Sequence, residues 1–128
     1  MSNSEDRLRE HPATRFASPE LLLNLQQSGD TLQQEAHAGQ HGHRQITVYH
    51  GAGVTMVLFA FEAGGELADH SAKGLVTIHA LDGALTVRTA TETYELGKDK
   101  LVVLQPGIVH NVLAREVSRV LLTVHKNS

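Results

Sequence analysis

Short apolar segments separated by turn-forming residues fill the chain from residue 45 onward. Gly, Asp and Lys stand at the breaks between the segments, which read ITVY, VTMVLFAF, LVTIHAL, ALTVRT, TYEL, KLVVL, IVHNVL and VSRVLLTV. Val, Ile and Thr are frequent in them, and these β-branched residues favour strands. Short strands with regular turn signals are typical of a sandwich or barrel of antiparallel hairpins. Because 128 residues suffice for one core and not for two, the pattern predicts a single all-β domain.

The residues before these segments predict a short helix. Ser18 is suited to cap a helix, Pro19 to its first position, and Gly29 to its end, which gives a helix of roughly three turns. The pattern over residues 30–43 is weak and predicts a short strand leading into a histidine-rich loop. We therefore divide the chain into an N-terminal extension, residues 1–43, and a barrel domain, residues 44–128.

Composition and charge exclude several classes of function. The chain has no cysteine, so it forms neither a disulfide nor a thiolate metal site. Its net charge is −3 with neutral histidines and it has no basic run, which argues against nucleic acid as a partner. No apolar run reaches membrane-spanning length, and the polar N-terminus lacks the apolar region of an export signal. We expect a cytoplasmic protein that contacts no membrane.

Two stretches combine glycine and histidine at fixed spacings. Gly64 precedes His70 by six positions and Gly83 closes the first stretch, while Gly107 precedes His110 by three positions in the second. These spacings resemble the two motifs of the cupin family, G-x5-H-x-H-x3-E-x6-G and G-x5-P-x-G-x2-H-x3-N. The resemblance extends over residues 46 to 125, about the whole of the predicted barrel.

This chain departs from the cupin motifs at several positions. Ala72 stands at the second histidine position of the first motif and Val76 at its glutamate position. In the second motif, Asp99, Gln105 and Ala114 replace glycine, proline and asparagine. The resemblance implies a jelly-roll β-barrel, usually a homodimer. It also implies that a metal, where present, is held by the histidines and carboxylate of the first motif and the histidine of the second.

Alternation along the strands predicts which of these side chains face the barrel interior. Residues two apart in a strand share a face, so Thr77 and His79 point outward, and His79 is a candidate for a dimer interface. Leu101–Leu104 is apolar throughout and predicts a strand buried on both faces, by sheet packing or by a second subunit. The predicted pocket is lined by His70, Ala72, Val76, Ile78, Ala80 and His110.

The predicted metal site is incomplete. His70 and His110 are two ligands, whereas catalytic zinc requires three and an oxygenase-type iron requires two histidines and a carboxylate. We expect no firmly bound cofactor and at most a weakly held divalent metal such as Zn, Fe, Ni or Mn. Asp69 points away from His70, and glutamates beside the Gly64 turn are predicted to be solvated. His43 or His50 could supply a third ligand, and the stretch HAGQHGH, residues 37–43, is either a metal-binding loop or a solvated one.

Three hypotheses for the function remain open. The first is a barrel that binds a small molecule in its pocket with an incomplete metal site. The second is a metal-dependent cupin enzyme, a dioxygenase or an isomerase, whose third ligand comes from His43, His50, a glutamate or water. The third is a purely structural barrel. Ser71 faces away from His70 and no two carboxylates share a strand face, which argues against serine hydrolase and glycosidase chemistry.

Overall fold

A computed structural model of the chain describes residues 16, 18–35, 39 and 41–126. These residues form one helix and nine strands: α1 Leu25–Gln34, β1 His43–Gly51, β2 Val54–Phe61, β3 Glu66–His70, β4 Leu75–Asp82, β5 Leu85–Thr89, β6 Thr93–Leu96, β7 Leu101–Leu104, β8 His110–Ala114 and β9 Ser118–His125. Parts of the predicted N-terminal extension, including His37, Ala38 and Gln40 of HAGQHGH, lie outside the described residues. The division at residue 43 therefore stays a prediction.

The strands form two antiparallel sheets that face each other. The larger sheet has the order β1-β2-β9-β4-β7 and the smaller one the order β3-β8-β5-β6. Side chains from both inner faces meet in one core, whose buried members are Phe59, Phe61, Val76, Ile78, Ala80, Leu85, Val87, Leu96, Val102, Leu104, Val112, Ala114, Val120 and Leu122. The predicted all-β jelly-roll architecture is confirmed, because each of the eight apolar segments contributes a strand to the two antiparallel sheets.

Alternation along β4 agrees with the sequence prediction, whereas β7 has one face exposed within the single chain. Thr77 and His79 are partly exposed on the outer face of β4. On β7, Leu101 is 49% and Val103 51% exposed, while Val102 between them is buried. β7 lies at the edge of the larger sheet, so only its inner face is covered within the chain. Burial of the outer face of β7 by a second subunit stays a prediction.

The helix lies further along the chain than predicted. Asn24 caps it, because the Asn24 side chain accepts a hydrogen bond from the Gln27 N–H at 3.0 Å. Ser18 instead closes an exposed turn by accepting from the Glu20 N–H at 3.3 Å. Residues 30–34, predicted to begin a strand, form the second half of the helix. Both serine and asparagine are good caps, and the packing of the helix on the barrel selects the second of them.

Gly29 lies in the middle of α1, where the sequence predicted the end of the helix. A Cβ atom at Gly29 would lie 2.8 Å from Nη1 of Arg119, so a side chain here would displace this arginine from its present position. Arg119, on β9, donates hydrogen bonds to the Gln26 carbonyl at 3.3 Å, to Asp30 at 2.6 Å and to the Gln33 side chain. Leu32 of α1 also packs against residues on the outer faces of β1 and β2 and forms a second apolar cluster with them. This cluster holds the helix against the larger sheet.

Replacing Arg119 with methionine is expected to loosen α1. The variant keeps most of the aliphatic stem but loses the four charge-assisted hydrogen bonds that the guanidinium donates to Gln26, Asp30 and Gln33, so the free energy of unfolding should fall by about 1–3 kcal/mol. Amide hydrogen exchange in residues 25–34 should accelerate. Arg115→Met is the matched control, because Arg115 contacts Glu95 at 2.8 Å on an exposed surface. Its loss should cost less than about 1 kcal/mol. Equal effects of the two variants would contradict this role of Arg119.

None of the helices in the described part of the chain is long and apolar enough to cross a membrane.

Candidate functional site

His70 and His110 form a pair at one end of the barrel. His70 is the last residue of β3 and His110 the first of β8, and they lie directly opposite each other in the strand register. Their ring centroids are 4.1 Å apart, with the rings inclined at 61°. His110 is only 1% exposed, whereas His70 is exposed. One imidazole of the pair therefore lies in the barrel interior and the other at its rim.

Hydrogen bonds to backbone carbonyls determine which nitrogen of each imidazole ring carries the hydrogen. Nδ1 of His110 lies 3.0 Å from the Ile108 carbonyl, and Nδ1 of His70 lies 2.9 Å from the Ala68 carbonyl. Since a carbonyl oxygen only accepts, each Nδ1 carries the hydrogen and each neutral ring keeps a lone pair on Nε2. Nε2 of His110 is buried and has no hydrogen-bond partner among the described residues. The site thus presents a buried acceptor that lacks a donor.

The environment of His110 favours its neutral form. Burial lowers the pKa of the His110 imidazole, and the neighbouring His70 acts in the same direction. The Ile108 carbonyl and the Asp69 carboxylate oppose this shift and raise the pKa, but burial is the larger effect. His110 is therefore available as a lone-pair donor at neutral pH.

The stability of the protein should fall as the pH is lowered from about 7 to 5. In the unfolded chain His110 regains its ordinary pKa of about 6.5, so the unfolded state binds a proton before the folded state does. The free energy of unfolding then decreases as the pH falls through this range. Urea denaturation at both pH values measures the slope. His110→Phe should have a shallower slope, whereas His79→Phe should keep the wild-type slope, and identical slopes in all three proteins would contradict this assignment.

The structure brings the other predicted pocket residues into the same barrel interior. Val76, Ile78 and Ala80 are 2%, 0% and 0% exposed and belong to the core. Ala72 is partly buried and packs against that core. Its carbonyl accepts from the Gly107 N–H at 2.9 Å, which joins the turn after His70 to the turn before His110. The two sequence motifs therefore meet at one place in the fold.

The described residues do not fit the complete metal cage that the cupin resemblance implies. Ala72 and Val76 offer a methyl and an isopropyl group where the motif has an imidazole and a carboxylate. Over residues 16, 18–35, 39 and 41–126, no three histidine, aspartate or glutamate side chains are grouped closely enough to hold a metal ion. Two imidazole nitrogens fall short of the three protein ligands of a catalytic zinc or iron site.

Neither His43 nor His50 joins the pair. They lie at opposite ends of β1, and Nδ1 of His50 is 2.8 Å from the Thr55 hydroxyl at an exposed position. His43 packs against Phe59 and Phe61. Sequence reasoning placed His43 in a loop and missed its packing against these two phenylalanines. Alternation in HRQITV would have placed it on one face with Gln45 and Thr47, once the strand was known to start at His43.

Asp69 lies where alternation predicted it. Its carboxylate accepts a hydrogen bond from the Asn111 side chain at 2.8 Å, and these two residues are the direct neighbours of His70 and His110 in the chain. The bond crosses from β3 to β8 beside the histidine pair. We interpret it as a support that holds the two strand ends, and hence the two imidazoles, in register.

Comparison with known proteins yields matches among solved structures alone. No protein-family model matches the sequence, and no curated protein matches it. A conserved protein of unknown function from Streptococcus pyogenes is 24% identical, covers 87% of this chain and 91% of its own, and has a TM-score of 0.68. A cupin superfamily protein from Desulfitobacterium hafniense DCB-2 is 15% identical, with 73% and 84% covered and a TM-score of 0.66. KdgF from Halomonas sp. is 20% identical, with 72% and 87% covered and a TM-score of 0.63.

These likenesses define the class of protein by its fold. The chain is a small domain with the cupin fold, so the fold that the resemblance implies is confirmed. At sequence identities below 25%, a structural match establishes the fold but not the function, which must be argued from the residues of the site.

Proposed function

We propose that this barrel binds a small molecule at its rim through His70 and His110, without a complete metal cage. The observation that carries the proposal is Nε2 of His110, which is buried without a donor among the described residues. A buried acceptor left unpaired costs about 1–3 kcal/mol. A ligand hydroxyl or N–H group that donates to Nε2 recovers this free energy.

The surroundings of the pair support a ligand with both polar and apolar parts. Nε2 of His70 is a second acceptor in a ring whose centroid lies 4.1 Å from that of His110. Ile108 and Val109, on the turn just before His110, are exposed apolar residues. Small-molecule sites typically combine apolar walls with a few convergent polar groups, and this end of the barrel provides both.

A metal-dependent enzyme, a dioxygenase or an isomerase, is the second candidate. It is supported by the two Nδ1–carbonyl hydrogen bonds, since bonds of this kind also orient histidines that bind metals through Nε2. The residues that would hold the metal are His70 and His110. This function needs a third donor that the described residues do not supply, and we rank it below small-molecule binding.

A homodimer is part of the proposal. Leu101 and Val103 are exposed on the outer face of β7, at the edge of the larger sheet, and a second copy of the chain would bury them. Sedimentation equilibrium of the purified chain tests this point, and a monomer at micromolar concentration contradicts it.

Two measurements on the untagged protein test the function. Ligand-observed NMR with a library of small hydroxyl compounds should detect binding that is lost in both His70→Ala and His110→Ala. His79→Ala, on the outer face of β4, is the matched control and should bind as the wild type does. Circular dichroism of each variant establishes that it is folded.

Two results would contradict small-molecule binding as the function. One is a library without any compound whose binding depends on both histidines. The other is stoichiometric metal in the wild type that is lost in both variants, which would establish a complete metal site and the second candidate function.

A further inference from the structure

A ligand reaches Nε2 of His110 only after a side chain moves, because this nitrogen is buried. On the inner face of the smaller sheet, His110 lies between His70 of β3 and Thr89 of β5 in the strand register. Side chains that lie opposite each other in an antiparallel pair are close neighbours on one face. His70 and Thr89 are therefore the two side chains in the register whose rotation could uncover His110.

The Thr89 side chain is fixed by the turn between β5 and β6. Its hydroxyl oxygen accepts hydrogen bonds from the Glu92 N–H at 3.1 Å and from the Thr91 N–H at 3.3 Å. The Thr89 N–H in turn donates to the Glu92 carbonyl at 2.9 Å. Rotation of the Thr89 side chain would break both bonds to its hydroxyl, so this residue is unsuited to open a path to His110.

The His70 imidazole is held less firmly. Its hydrogen bond runs from Nδ1 to the Ala68 carbonyl at 2.9 Å. β3 is an edge strand, so among the described strands none pairs with it on the side away from His110. His70 is exposed, whereas His110, whose ring centroid lies 4.1 Å from that of His70, is buried. The His70 ring thus covers His110 on the side of the pair that is open to solvent.

The backbone on both sides of His70 is anchored, which confines motion at this point to the side chain. One position before His70, the Asp69 carboxylate accepts a hydrogen bond from the Asn111 side chain at 2.8 Å. Two positions after it, the Ala72 carbonyl accepts from the Gly107 N–H at 2.9 Å. Exposed side chains change rotamer rapidly without movement of the backbone. His70 therefore combines a fixed backbone with an imidazole that is free to rotate.

We infer that the His70 side chain is a gate over Nε2 of His110, which rotates away to admit a hydrogen-bond donor of the ligand and then contacts the bound molecule. The inference rests on the proposed function, because such a gate regulates binding only if Nε2 of His110 is the point of contact. Opening breaks the bond from Nδ1 of His70 to the Ala68 carbonyl. One net hydrogen bond favours the closed rotamer over the open one about five- to tenfold.

Diethyl pyrocarbonate tests the gate without a ligand, because it acylates the unprotonated nitrogen of an imidazole ring. Trypsin cuts after Lys100 and Arg115, and the peptide 101–115 contains His110 as its one histidine. Mass spectrometry of this peptide follows the acylation of His110 alone, and the peptide 74–88, with His79 as its one histidine, is the internal reference. At neutral pH, His70→Ala should raise the rate at His110 about five- to tenfold and leave the rate at His79 unchanged.

Asp69→Ala is the matched control for a loosened strand end. It removes the bond to Asn111 but leaves the His70 ring in place, so His110 should react at the wild-type rate. His70→Trp puts a larger ring in the position of the gate, and His110 should react no faster in it than in the wild type. Circular dichroism of each variant establishes that it is folded.

Urea below the unfolding transition distinguishes rotation of one side chain from unfolding in the wild type. If His110 reacted only through the unfolded state, 1 M urea would raise its rate about tenfold, because unfolding exposes a large surface. Rotation of His70 exposes little surface, so the rate should be nearly unchanged.

Three results would overturn the gate. They are a wild-type rate at His110 in His70→Ala, an equal acceleration in Asp69→Ala, and a tenfold effect of urea on the wild type. The reaction involves no ligand, so each of these results leaves the proposed function standing, and the NMR screen tests that function separately.

Discussion

Replacing Gly83 with alanine is expected to destabilise the protein by about 3 kcal/mol or more. Gly83 has φ of +88°, a left-handed conformation that costs a side-chain-bearing residue about 1–2 kcal/mol. An added Cβ would also lie 2.3 Å from Oγ of Ser118 and 2.5 Å from the Val117 carbonyl. Because the second of these atoms is backbone, β9 must move to admit the methyl group, which adds a further penalty of about 1–3 kcal/mol. Urea denaturation measures the loss.

Gly64→Ala separates the two contributions. Gly64 has nearly the same φ, +85°, but a Cβ there would meet no atom within 4 Å. This variant should lose only the conformational part, about 1 kcal/mol. Equal losses at the two positions would show that the contact with β9 contributes nothing. Gly64 and Gly83 are the first and last glycines of the same cupin motif, so the comparison also shows that they serve different physical purposes.

Replacing Ile78 with alanine is expected to lower the free energy of unfolding by about 2–5 kcal/mol. Ile78 is fully buried in the core, opposite Val102 of β7, and its truncation leaves a cavity that the surrounding strands fill only in part. Leu101→Ala is the control, because Leu101 lies on the neighbouring strand but is half exposed. Its loss should be below about 1 kcal/mol. Thermal and urea denaturation of both variants provide the comparison.

The Ile78 variant also distinguishes a core residue from a pocket wall. A residue that lines open space has fewer neighbours to lose, so a loss as small as that of Leu101→Ala would indicate that Ile78 borders a cavity. The expected large loss of stability would mean that Val76, Ile78 and Ala80 pack within the core below the histidine pair and do not line a wide pocket. Ligand contacts would then concentrate on His70, His110 and the rim.

Part of the site could be predicted from the sequence because strand alternation is local. The spacing from Gly64 to His70, and the match of His110 to the second motif, placed both imidazoles on the interior side, and the structure pairs them. Local spacing could not show that His110 is buried while His70 is exposed. Nor could it show which ring nitrogen is protonated, since the carbonyls of Ala68 and Ile108 decide that.

The errors have one physical origin, which is that a local pattern does not report what packs against it. Ser18 and Asn24 are comparable helix caps, and the contacts of α1 with Arg119 and the outer face of the larger sheet favour the later start. β7 has the composition of a strand buried on both faces; its position at a sheet edge leaves Leu101 and Val103 exposed within the single chain, and their burial by a second subunit stays a prediction. His43 looked like part of a loop until its pairing with Phe61 placed it in a strand.

By itself, the sequence determined the all-β class, most of the strand segments, the inward face of β4 and the apolar side chains at Ala72 and Val76. These properties follow from residue type and from a spacing of two, which act over a few residues. The tertiary structure alone decided the start of α1, the exposed face of β7 within the single chain, the tautomers of His70 and His110, and the contact of His43 with the core phenylalanines. Each of these depends on atoms distant in the chain or on the backbone path of a turn, because burial and hydrogen bonding are set by whatever the folded chain brings alongside.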